Sequence, residues 1–120
     1  MAHPLRLLVT ILLLTSTPTK ANVVCETASN TEKVVVAGGS LTEIMYFLGL
    51  QQKIVALDVT SSYPKEAKKL PSIGYVRALS TEGVLSLDPT LVIGENDMGP
   101  ENVVEQIKRT DRKSTRLNSS

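Results

Sequence analysis

Tryptophan is absent, and phenylalanine, histidine and cysteine each occur once among 120 residues. A single thiol excludes a disulfide framework and any zinc cage built from several thiolates. The lone histidine is His3, inside an N-terminal leader, so the body of the chain holds no imidazole base or ligand. Without one, neither the serines nor Cys25 has the partner that a nucleophile–base pair requires. No Gly-rich Lys-Ser loop for a nucleoside triphosphate is present, and nothing repeats at a solenoid period. At 42% hydrophobic residues the chain is too apolar to stay disordered, and its length sets a prior of one domain at most. Residues 22–110 carry eight basic and eleven acidic side chains, a net charge of −3. That body, with one Phe and three Tyr, is not a nucleic-acid surface.

The two ends differ from the middle. Met1 to Arg6 is a short positive region, and Leu7 to Leu14 is an apolar run of eight. Thr15 to Ala21 follows with polar and small residues. This pattern predicts a signal peptide over 1–21, cut after Ala21, since the run is far short of the roughly 20 residues of a membrane span. Residues 22–33 are then an N-terminal lead, where Cys25 reads as a plain unpaired thiol. At the other end, DRKSTRLNSS over 111–120 has one apolar residue and no amphipathic period. It resembles the in-frame translation of a sequencing-adapter oligonucleotide, so it is expected to lie outside the fold, with the natural protein continuing past Thr110.

Strand and helix signals alternate between those ends. Val34 to Ala37 is a β-branched run closed by Gly38-Gly39, a buried strand and a tight turn. Ser40 with Glu43 forms a capping box. Leu41, Ile44, Met45 and Leu48 fall at i, i+3, i+4 and i+7 on one helix face, and Gly49 suits the left-handed stop. Tyr46 and Phe47 on that helix are expected to pack. Lys53 to Leu57 reads as a second strand closed by Asp58, 60–64 as a polar loop, 65–69 as a short helical turn and 70–79 as an extended loop. Ser80 caps a short helix with Val84, Leu85 and Leu87. Thr90 to Gly94 is a third strand, and Pro100 opens a last helix with Val103, Val104 and Ile107 as its apolar face. This order implies an α/β fold, a parallel sheet covered by helices on both faces. Function is then sought at the carboxyl ends of the strands, in 38–40, 58–64, 95–99 and 70–79.

Those loops hold few chemical candidates. Gly38 to Ser40 before a helix offers a phosphate or oxyanion cradle, although it lacks a dinucleotide fingerprint and Glu43 would repel an anion. A small exported α/β enzyme would use that turn. Glu95 and Asp97 alternate after the third strand, either as a cation chelate or as a solvated loop. Tyr63 and Tyr75 stand in loops. Arg77 follows Tyr75 by two, so in an extended segment both side chains point the same way. A cation there favours the phenolate, a hard anionic ligand suited to ferric iron, as in tyrosinate-ligated haem. Solvation of a loop face by Arg77 is the other reading.

The pieces SLTEIMYFLG, IVALDVTSSYP, LPSIGY and STEGVLSLDPTLVIG, in this order, resemble the first lobe of periplasmic substrate-binding proteins for iron complexes and corrinoids. The resemblance covers 34–110. KLPSIGYVRALSTEGVLSLDP is most similar to haem-binding members that feed ABC importers. It implies two α/β lobes joined by a long helix, of which this chain supplies one, and a monomeric periplasmic carrier without catalysis. It implies haem as the transported ligand, Tyr75 as the iron ligand with Tyr63 as its rival, and Arg77 as a haem contact. It also implies that Glu82 docks onto an arginine of the inner-membrane permease. A ferric-siderophore or corrinoid carrier of the same fold is the alternative.

Overall fold

Val34–Ala37 is apolar at every position because both of its faces are covered. In the computed structural model, which describes residues 27–110 and the backbone of a strand at Lys113–Leu117, this run is strand β1. The expected signal peptide, its cleavage after Ala21, His3 and Cys25 lie outside the described residues. Ile54–Leu57 is β2, Leu91–Glu95 is β3 and Lys113–Leu117 is β4, in the sheet order β2-β1-β3-β4. All three pairings are parallel, with Val34 to Ala37 in register against Leu91 to Gly94. Alternate side chains of β1 enter two separate cores. Val35 and Ala37 join Val84, Val103, Val104 and Ile107 on one face. Val34 and Val36 join Leu41 and Ala67 on the other. The expected parallel α/β sheet with two covered faces is therefore formed.

Among the described residues three α-helices cover it: α1 Gly39–Phe47, α2 Thr81–Leu85 and α3 Glu101–Arg109. Ser80 Oγ accepts the Gly83 N–H at 3.0 Å, the cap expected for α2. Val103, Val104 and Ile107 are the buried face of α3. Pro100 stands one position earlier than expected, as the cap whose carbonyl accepts the Val103 and Val104 amides. Gly49, at φ 72°, ends α1 while the Leu50 amide donates to Met45 O and the Gly49 amide to Tyr46 O. Those two bonds form a Schellman stop.

Three expectations need correction. The capping box does not form: α1 begins one residue earlier, after Gly38, with no side-chain cap from within the helix. Its apolar face is only partly buried, since Leu41 packs inward while Ile44 and Leu48 are exposed and Phe47 is 90% exposed. A short helix on a sheet buries a narrow stripe, and here Thr42 occupies part of it. Finally, Lys113–Leu117, expected outside the fold, pairs along all of β3. An open parallel edge accepts any extended run through backbone hydrogen bonds alone, so the pairing needs no apolar pattern.

Candidate functional site

Four loops meet at the carboxyl end of the sheet. Segment 71–74 runs beside β2, with a parallel bridge between Leu57 and Ser72. The Leu57 amide donates to Pro71 O, the Ile73 amide to Leu57 O and the Val59 amide to Gly74 O, at 2.9–3.0 Å. This quasi-strand carries the chain to Gly74, at φ 91°, and releases Tyr75 at the sheet end.

The first two loops are joined by a buried carboxylate. Asp58 is 2% exposed. Its Oδ1 accepts the Gly38 amide and the Ser61 hydroxyl, both at 2.9 Å. Its Oδ2 accepts the Thr60 amide at 3.1 Å and the Thr60 hydroxyl at 2.6 Å. Thr42, also buried, donates to Gly38 O at 3.1 Å, and its hydroxyl meets that of Ser61 at 2.7 Å. Four donors compensate the desolvation of one carboxylate and make 58–61 a fixed floor. Sequence reasoning used Asp58 only to end a strand. The run Asp58-Val59-Thr60-Ser61 after an apolar strand was the available signal for an Asx-turn.

Glu95, at the end of β3, reaches across to α1. Its Oε1 accepts the Ser40 amide at 3.1 Å, and a Cβ at Gly38 would fall 2.5 Å from its carboxyl carbon. The helix start that a phosphate or oxyanion would need already holds a carboxylate of this chain. Asp97 is likewise engaged, by Arg77. Neither acid is arranged as a chelate, and the described residues contain no group of three or more His, Cys, Asp or Glu fit to hold a metal.

Tyr75 and Arg77 are not on an extended segment as expected. The Ala78 amide donates to Tyr75 O at 2.8 Å, closing a turn that sends Val76 into the core. Arg77 Nε donates to Asp97 Oδ2 at 2.7 Å. The Arg77 guanidinium is held above its ordinary value by this hydrogen bond, then by the Asp97 charge, then by Tyr75. Tyr75 is 44% exposed. Tyr63, 65% exposed, stands instead beside an open groove of about 710 Å³ with Ile44, Phe47, Pro64 and Glu43. Arg77 makes no contact there. Glu82 is exposed in the first turn of α2, away from both tyrosines in sequence and free of the cap made by Ser80.

Comparison with known proteins adds to this geometry. Residues 34–115 match the family described as periplasmic binding protein. The vitamin B12-binding protein of Yersinia pestis is 32% identical over 80 residues, 67% of this chain and 29% of that one. The crystal structure of a periplasmic haem-binding protein from Pseudomonas aeruginosa superposes with a TM-score of 0.71 at 42% identity, covering 72% of this chain and 31% of that one. The haem-binding protein RhuT of Roseiflexus gives 0.71 at 40% identity, over 74% of this chain and 34% of that one. The chain thus spans about a third of the length of these relatives.

Proposed function

The chain belongs to the periplasmic binding protein family, and from that premise we propose that it is the first lobe of a carrier that binds haem in the periplasm and hands it to an ABC importer. The carrier is monomeric, performs no catalysis and has no nucleic-acid partner. Tyr75 is the ligand to haem iron, Arg77 is the neighbouring cation that supports the phenolate or meets a propionate, and Glu82 docks on the permease. The observation that carries haem over other cargoes is the exposed Tyr75, two residues before an arginine tied to Asp97, in a chain 42% identical over 72% of its length to a haem-binding structure. Phenolate is a hard anion matched to ferric iron, and a nearby cation favours it over the phenol.

A corrinoid carrier is the second reading, favoured by the 32% identity to a vitamin B12-binding protein. Titration of the full-length gene product with hemin and, separately, with cyanocobalamin separates the two. Haem binding gives a shifted Soret band and a phenolate-to-iron charge-transfer band, both saturable. Saturation by the corrinoid with no response to hemin overturns the haem reading.

A further inference from the structure

We propose that Asp97 is a positioning residue for the ligand site: it grips Arg77 by the inner edge of its guanidinium and presents the outer edge to the cargo. The inference rests on the haem reading, in which Arg77 touches the bound molecule.

The turn that holds Asp97 is itself fixed. The Met98 amide donates to Glu95 O at 3.0 Å, and the Met98 side chain is buried against Gly94, where any Cβ would collide with its sulfur. That turn is fastened to the Tyr75 loop from both sides, since the Gly99 amide donates to Val76 O and the Leu79 amide to Gly99 O, each at 2.9 Å. The Arg77–Asp97 bond lies beside these two backbone bonds. A long arginine stem on a surface loop samples many rotamers unless its head is tied. Here the tie comes from a neighbouring loop that cannot swing away.

The grip is one-sided. Among the described residues, only Nε of Arg77 is engaged, and only Oδ2 of Asp97. Asp97 Oδ1 is buried and accepts no hydrogen bond among the described residues, so the two-point fork often made by Arg and a carboxylate is not used. A guanidinium has five N–H donors. With Nε taken, the four on the terminal nitrogens are left for an anionic group, and their direction is set by the bond behind them. Arg77 is exposed and Asp97 partly buried, so the pair adds little to stability. Its effect is on direction.

Charge and orientation predict opposite signs, which makes the idea testable. Removing Asp97 raises the positive potential at Arg77, and by charge alone this would tighten the binding of a haem propionate. Loss of orientation weakens it. In the full-length protein we expect Asp97→Ala to weaken hemin binding roughly threefold to tenfold, with Asp97→Asn, which keeps an acceptor oxygen, in between. The melting temperature should fall by less than about 2 °C. In an Arg77→Ala background, Asp97→Ala should add nothing further. Tighter binding in both Asp97 variants, or an equal loss with and without Arg77, overturns the proposal. If the unsubstituted protein shows no charge-transfer band with hemin, the haem reading itself has failed, and the Asp97 variants are then not the cause.

Discussion

Tyr63 and Tyr75 leave the same end of one sheet in contrasting surroundings. The loop of Tyr63 is anchored from below by Asp58, a buried carboxylate with four donors, and its outer side faces the exposed apolar flank of α1. The loop of Tyr75 is anchored by backbone bonds to the 95–99 turn, and its exposed side carries a tethered cation. One tyrosine borders a mostly apolar groove, where it is placed to contribute contact area. The other stands in the loop that carries Arg77, the kind of neighbour that an anionic ligand needs. The two carboxylates follow the same division. Asp58 builds the scaffold from inside, and Asp97 shapes the site from its edge.

The largest way to break this comparison is to remove Asp58. Asp58→Ala leaves the buried Gly38 amide without its acceptor and takes one partner from the Ser61 hydroxyl, which keeps Thr42, while the exposed Thr60 turns to solvent. A buried donor left without a partner costs about 1–3 kcal/mol, so a loss of about 2 kcal/mol is expected in urea denaturation of the full-length protein. Asp97→Ala should cost under about 1 kcal/mol in the same experiment, since exposed ion pairs are worth little. Equal losses at the two positions would mean that scaffold and site are not separated as described.

The second contrast is between the tyrosines themselves. Tyr75→Phe keeps the ring and removes the oxygen. In full-length protein with ferric haem, the charge-transfer band should vanish and affinity should fall by at least about tenfold, since losing a ligand costs no less than the roughly 10–100-fold lost with an outer-shell partner. Tyr63→Phe should change affinity by less than about threefold, because its groove offers contact rather than charge. An unchanged visible spectrum in Tyr75→Phe would move the iron ligand elsewhere and return the protein to the wider group of iron-complex and corrinoid carriers.

How much of this was legible in the sequence depends on how far each signal reaches along the chain. Strands β1, β2 and β3 announced themselves because a strand buried on both faces is apolar at nearly every position. Ser80 and its amide partner lie three residues apart, and the face of α3 repeats every three or four, so both were visible locally. The start of α1 was not, because its amide partner, Glu95, lies 55 residues away and cannot be seen in any short window. A capping box was the local alternative, and tertiary contact replaced it. The same limit hid the Asp58–Gly38 and Asp97–Arg77 ties, each spanning twenty residues, whereas the Thr60 and Ser61 partners of Asp58 lie within a short window. Tyr75 and Arg77 were found as a pair, but by an alternation argument that the turn at 75–78 removes. What fixes Arg77 is Asp97, reached from the 95–99 turn.

The smallest expected effect on binding, and the sharpest test of where the site ends, is at Glu82. Its carboxylate stands in the first turn of α2, where the helix dipole favours a negative charge and solvent is open to it. Ser80 already caps the helix, so Glu82 is not needed for that purpose. It follows the Tyr75–Arg77 loop but stands on the helix itself, and no hydrogen bond or ion pair joins its side chain to either residue among the described residues. Reversing its charge therefore leaves the haem site alone: Glu82→Arg should change hemin affinity by less than about twofold. At a permease arginine the same substitution places like charges together, which slows encounter and weakens docking, so uptake should fall about tenfold when the variant replaces the natural protein in cells. The helix dipole predicts a separate and smaller penalty of about 0.3–1 kcal/mol in stability, measurable by denaturation and too small to account for the uptake loss. Normal uptake by a correctly folded Glu82→Arg protein would remove this residue from the interface and leave it with the dipole contact alone.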